Sequence, residues 1–75
     1  MRVRVIKDNM GYRPQVFEEL IQDWVYLEEK GWFKKTYFTW MNHNEYGSVC
    51  SSQEAAIDIL NRYAAHLDFL NHTYS

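Results

Sequence analysis

Residues 14–30 read PQVFEELIQDWVYLEEK, and the architecture of the chain turns on whether they coil or extend. As a helix, Phe17, Leu20, Ile21, Trp24 and Leu27 recur at three- and four-residue steps. Pro14 then suits a first helical turn, and Gly31 suits the position just past the last. As strands, the same residues form two short runs, 12–18 and 24–28, joined by ELIQD. Local periodicity slightly favours the helix, and taken alone the segment leaves both readings open.

The flanking segments are plainer. Residues 2–7, RVRVIK, alternate, with Val3 and Val5 on one face and Arg2 and Arg4 on the other, as a half-buried strand requires. DNMG at 8–11 is turn chemistry, with Gly11 free to take positive φ, and predicts a hairpin into YRPQVF. WFKKTYFTW at 32–40 is aromatic and β-branched and reads as a strand, with Thr36, Phe38 and Trp40 on one face and Tyr37 and Thr39 on the other. Ser51 and Glu54 have capping-box spacing. Ala56, Leu60, Tyr63, Ala64, Leu67 and Leu70 then trace one apolar stripe, which predicts an amphipathic helix over about 52–70. The expected fold is therefore α+β, a single domain over 1–75. A small antiparallel sheet is packed by the C-terminal helix, and residues 15–30 are either a helix or a strand pair. Leu60, Tyr63 and Leu67 are expected to bury against Val3, Val5 and strand residues near 36–40.

Size and composition bound what the chain can do. A 9.1 kDa chain hides roughly 60% of its surface on folding, which leaves one small core and little material for a deep pocket. With 47% hydrophobic and 24% charged residues it is globular in composition. Its 17% aromatic content, three Trp, six Tyr and four Phe, exceeds what so small a core readily absorbs. Some rings are therefore expected on an exposed face. Arg2, Arg4 and Lys7 interrupt the opening, one cysteine cannot close an internal disulfide, and no apolar run nears the ~20 residues of a membrane span. A cytoplasmic protein without a membrane partner is expected.

The stretch MNHNEYGSVC at 41–50 holds a histidine, a carboxylate and the lone cysteine. Cys50 precedes a helix start, where the dipole favours a thiolate, and His43 is the nearest base. Free cysteine more often behaves as a small apolar residue. His43 and Glu45 share the His-x-Glu pattern of zinc deaminases, but the two-cysteine partner motif is missing. His43, Cys50, His66 and His72 lack the spacings that put two ligands on one turn. The expectation is a loop, with no catalytic residue, no metal and no cofactor.

Charge is distributed unevenly. Lys34 and Lys35 lie among rings, and Arg2, Arg4, Lys7 and Arg13 face only Asp8 in the first fifteen residues. These patterns suit a nucleic-acid partner. A net charge of −2 works against phosphate attraction. Residues 16–29 carry Glu18, Glu19, Asp23, Glu28 and Glu29 with no basic residue, which suits a basic protein surface.

KDNMGYRPQVF at 7–17, WVYL at 24–27 and SSQEAAIDIL at 51–60 together resemble small phage- and prophage-encoded proteins, in which a Tyr-x-Pro-Gln strand and a Trp-containing strand precede a Ser-x-x-Glu-Ala helix. The resemblance covers most of the chain and implies the strand reading of 12–18 and 24–28. It also implies a stoichiometric accessory role: binding a host or viral protein and blocking or redirecting it. A nucleic-acid binder is the alternative. The expected partner-binding residues are Glu18, Glu19, Glu28, Glu29, Trp32, Lys34, Lys35, Tyr37 and Tyr46, and a homodimer through the same rings is the competing use of that face.

Overall fold

The computed structural model describes residues 2–32, 35–43 and 45–74, with side chains for all of these but 32, 35–37 and 69–74. Four strands, β1 (Val3–Lys7), β2 (Tyr12–Glu18), β3 (Asp23–Trp32) and β4 (Lys35–Met41), precede one helix, α1 (Gln53–Tyr74). The sheet is antiparallel in the order β1-β2-β3-β4, and α1 packs on one face. The shortest dimension, 19 Å, accommodates one sheet and one helix. Among the described residues no second helix or sheet covers the opposite face.

Residues 14–30 extend rather than coil, which resolves the helix expectation in favour of the strand pair. Paired antiparallel, Val16 and Val25 meet across the strands while Phe17 meets Trp24 on the other face. β-branched and aromatic residues fit a pleated surface, and packing of that kind overrides a weak helical period. The residues that made the helix plausible are divided. Leu27 enters the core beside Val16 and Val25, Phe17 and Trp24 pair on the other face, and Leu20 and Ile21 are 93% and 54% exposed in the connecting turn. That turn closes with Gln22 at φ 54°, in the left-handed region, its amide and side-chain Nε2 both donating to the Glu19 carbonyl.

At the first turn, Asp8 Oδ1 accepts from the Met10 and Gly11 amides, and Gly11 takes φ 143°. Phe17 N–H donates to the Arg2 carbonyl, so alternation points the amides of even-numbered β1 residues toward β2 and those of Val3 and Val5 outward. The same alternation turns Pro14, which has no N–H to give, away from β1. On that side the β2–β3 ladder has already ended, since it runs only from Gln15–Tyr26 to Glu18–Asp23. The wedge left between the strands is filled by residues 48–50. Ser48 N–H donates to the Leu27 carbonyl, Glu29 N–H to Ser48 Oγ, and Cys50 exchanges both main-chain bonds with Tyr12.

The core comprises Val16, Val25, Leu27, Cys50, Ala56, Ile59 and Leu60, with Val5, Tyr12, Phe38, Ala55 and Tyr63 packed against it. Phe38 meets Tyr63 edge-on at 5.2 Å and His66 at 5.4 Å. Several expectations need correction. Ile59, unmarked in the sequence reading, is buried, whereas Ala64 is exposed and Val3, at the sheet edge, is 41% exposed. Leu67 is only half-buried, and the Leu70 side chain lies outside the described residues. The helix runs past residue 70 to Tyr74 with no glycine or proline to stop it. Its cap is Ser52, whose Oγ accepts from Ala55 N–H at 3.1 Å, and not the expected Ser51–Glu54 box.

Candidate functional site

Arg13 is completely buried, on the strand that the wedge segment joins. Its Nε donates to the Ser48 carbonyl at 3.1 Å and Nη2 to the Tyr46 carbonyl. Nη1 reaches Asp8 Oδ2 at 3.0 Å, and the guanidinium lies 4.7 Å from the Tyr26 ring centroid. Asp8 is held below its ordinary value of 3.8, first by the Met10 amide, with Gly11 and Arg13 adding to the effect. One side chain thus ties the first turn to the loop after β4. Gly47 completes the seat: at φ 95°, an added Cβ would stand 2.7 Å from Tyr26 Cβ. Arg13 was expected among the exposed basic residues; the structure removes it from that patch.

Met41 ends β4 and Cys50 bridges to Tyr12, and the described residues between them form neither helix nor strand. Cys50 is buried, and burial pushes its thiol above the ordinary 9.0, which works against the thiolate a nucleophile needs. His43 lies edge-on to Tyr46, with ring centroids 6.5 Å apart. Among the described residues no three His, Cys, Asp or Glu side chains are grouped to hold a metal, and no helix is long and apolar enough to cross a membrane.

Two exposed surfaces carry clustered large side chains. The first is an open cleft of about 300 Å³ between the β2–β3 turn and the end of β4, lined by Ile21, Val25, Trp40, Met41, Asn42 and His43. Val25 in its lining is buried; Ile21, Trp40 and Met41 are 54%, 49% and 44% exposed, and Leu20, next to Ile21 in the chain, is exposed too. Among the described residues no Asp, Glu, Lys or Arg lines it. The second surface lies on the face away from α1. There Phe17 and Trp24 meet edge-on at 5.5 Å, Arg2 lies 4.5 Å over Phe17, and Arg4 lies 4.1 Å over Trp24. Buried Gln15 accepts from Arg4 Nε at 2.7 Å, fixing that side chain against the sheet.

The residues expected to bind a partner are not gathered in one place. Glu28 and Glu29, successive on β3, face opposite sides. Glu28 contacts Lys30 and Gly47 N–H on the open face, whereas Glu29 forms a two-point pair with Arg62 of α1 at 2.6 and 2.9 Å. Glu18 and Glu19 stand at the far end of β2, beside a smaller cleft bounded by Arg2, Tyr63 and Leu67. Burial, and then the Glu18 charge, pushes the Tyr63 phenol above its ordinary value of 10.0. Tyr46 is 46% exposed. Lys34 and the side chains of Trp32, Lys35 and Tyr37 lie outside the described residues.

Sequence reasoning passed over the apolar cleft, although a signal was present. In the strand reading Leu20 and Ile21 fall in a turn, where large aliphatic residues are unusual. Nothing local distinguished Arg13, because its burial depends on a segment more than thirty residues away. The chain matches no known protein-family model, no curated protein and no solved structure.

Proposed function

We propose that this chain is a small non-catalytic accessory protein, of the stoichiometric kind that the phage-encoded resemblance implies, and that it binds one protein partner through the cleft at Ile21, Trp40 and Met41. The observation that supports this reading is the exposure of three large apolar side chains around an open depression with no Asp, Glu, Lys or Arg among the described residues of its lining. Clustered exposed apolar surface mostly marks contact sites in small soluble domains. A tryptophan flanked by aliphatics supplies large area with few rotors to freeze, which is the chemistry of interface anchors. The cleft is too open to enclose a metabolite and offers no charge to a phosphate, so the fitting occupant is an apolar side chain of another protein. A standard interface takes about 800 Å² per partner. That is about a seventh of the 5684 Å² surface of this chain and requires no deeper pocket.

The test starts with affinity capture from nuclease-treated host extract, followed by purification of the recovered polypeptide and calorimetric titration against the parent, I21S and W40S. One-to-one binding that weakens at least tenfold in both variants, with unchanged melting temperature and unchanged mass, supports the reading. Undiminished affinity in both variants would place the contact elsewhere. A concentration-dependent dimer mass in the parent that W40S abolishes would assign the cleft to self-association instead.

A further inference from the structure

Independently of the cleft, we propose that the free edge of β1 is a docking edge for an extended acidic segment of a partner protein, which adds to the sheet as a fifth strand beside Val3–Lys7. Three observations meet there. β1 is terminal in the sheet order. Because Arg2 pairs with Phe17 through the main chain, the amides and carbonyls of Val3 and Val5 point out of the sheet, and no described residue bonds to them. Such a row is a ready template for another strand.

The second observation is charge. Arg2 and Arg4 stand on the same face of β1, both exposed, and among the described residues neither has a carboxylate partner. Successive residues on one face of a strand are about 6.5–7 Å apart. A strand laid antiparallel along β1 sets one side chain opposite each arginine, so acidic residues two apart would meet both. In the free chain the guanidiniums fold inward across β2, 4.5 Å over Phe17 and 4.1 Å over Trp24 with Arg4 also tied to Gln15, so an added strand has to draw them outward. An exposed cation–ring contact is weak, and a two-point pair with a carboxylate can replace it.

The third observation is on the other face, where Val3 is 41% exposed. The intervening residues of an added strand would cover it if apolar, so the sequence that fits alternates acidic and apolar. A second copy of β1 is a poor occupant, because self-pairing sets arginine against arginine. A polynucleotide fits less well than an acidic strand. Among the described residues only two unpaired cations stand on this face, the chain is net negative, and a nucleic-acid backbone cannot complete the ladder at Val3 and Val5.

The experiment is fluorescence anisotropy of the full chain with four labelled probes. These are a peptide of alternating glutamate and valine, the same composition with glutamates and valines in separate blocks, the alternating peptide N-methylated at every second amide, and single-stranded oligothymidylate. The expected result is binding of the alternating peptide, at least tenfold weaker binding of the other three, and a further loss of about tenfold or more in R2E/R4E. R2K/R4K should recover part of that loss, because Lys keeps the charge and loses the fork. Circular dichroism and melting confirm that the variants fold. Failure of the alternating peptide to bind at millimolar concentration overturns the proposal. So does equal binding of the N-methylated peptide, which would reduce the site to charge attraction, and so does preferential binding of the oligonucleotide.

Discussion

Arg13→Met replaces the buried guanidinium with an unbranched apolar chain of similar reach and asks what fixes the loop after β4. Hydrogen bonds from a charged donor contribute about 1.5–3 kcal/mol each. A thioether replaces neither bond to the carbonyls of Tyr46 and Ser48, so the gross loss is about 3–6 kcal/mol. Two effects work the other way. Removing the guanidinium relieves a desolvation cost of several kcal/mol. Asp8, whose side chain is 23% exposed, regains water instead of being stranded as a buried charge. The net destabilisation expected is about 2–3 kcal/mol, below the ~3–5 kcal/mol seen when a fully buried pair loses one member. Urea unfolding measures it as a lower midpoint at unchanged slope. Native-state hydrogen exchange locates it: the Ser48 and Cys50 amides, bonded to Leu27 and Tyr12, should lose protection before Val16 and Val25 do. A loss below ~0.5 kcal/mol, the scale of an ordinary surface substitution, with loop protection intact would refute the reasoning. It would show that the main-chain bonds of residues 48–50 suffice and that the arginine only compensates its own burial.

Leu60→Ala, at a position 6% exposed, should cost about 2–5 kcal/mol, lowering the thermal midpoint by ~10 °C or more for a domain of this size; a shift within a degree would remove Leu60 from the core. Ser52→Ala should cost about 1 kcal/mol by denaturant titration while Ser51→Ala stays near zero, because Ser52 Oγ holds the Ala55 amide. The reverse ranking would restore the cap to Ser51. Stability should also fall at both ends of a pH titration. The folded-state pKa of Asp8 is depressed, so its contribution is present above its ordinary 3.8 and is lost as pH falls through the lower folded value. The thiol of Cys50 is raised, so the folded form is favoured below its ordinary 9.0 and loses that contribution as pH rises through the higher folded value. D8N should flatten the acid limb and C50A the alkaline one, and an unchanged limb in either variant would assign that dependence to another group.

What the sequence determined by itself was whatever depended on near neighbours. Alternation in RVRVIK, turn chemistry in DNMG, aromatic and β-branched content in 32–40 and the apolar stripe from Ala56 to Leu70 each name one element, and together they specify an antiparallel sheet with a helix on one face; the observed strand is shifted to Lys35–Met41, Trp32 ending β3. The tertiary structure decided residues 14–30. There two periods overlapped, and pairing Val16 with Val25 and Phe17 with Trp24 outweighed a helical stripe that would have buried Leu20 and Ile21. It also decided the fate of the charges. Arg2, Arg4 and Arg13 alternate along neighbouring strands with nothing local to tell them apart, yet the first two lie open over rings and the third is sealed beneath a loop. Glu28 and Glu29, adjacent in the chain, end on opposite faces because successive residues of a strand alternate, which follows once 23–32 is known to extend. Burial of a polar group is set by whichever distant segment covers it, and the chain carries no local record of that segment.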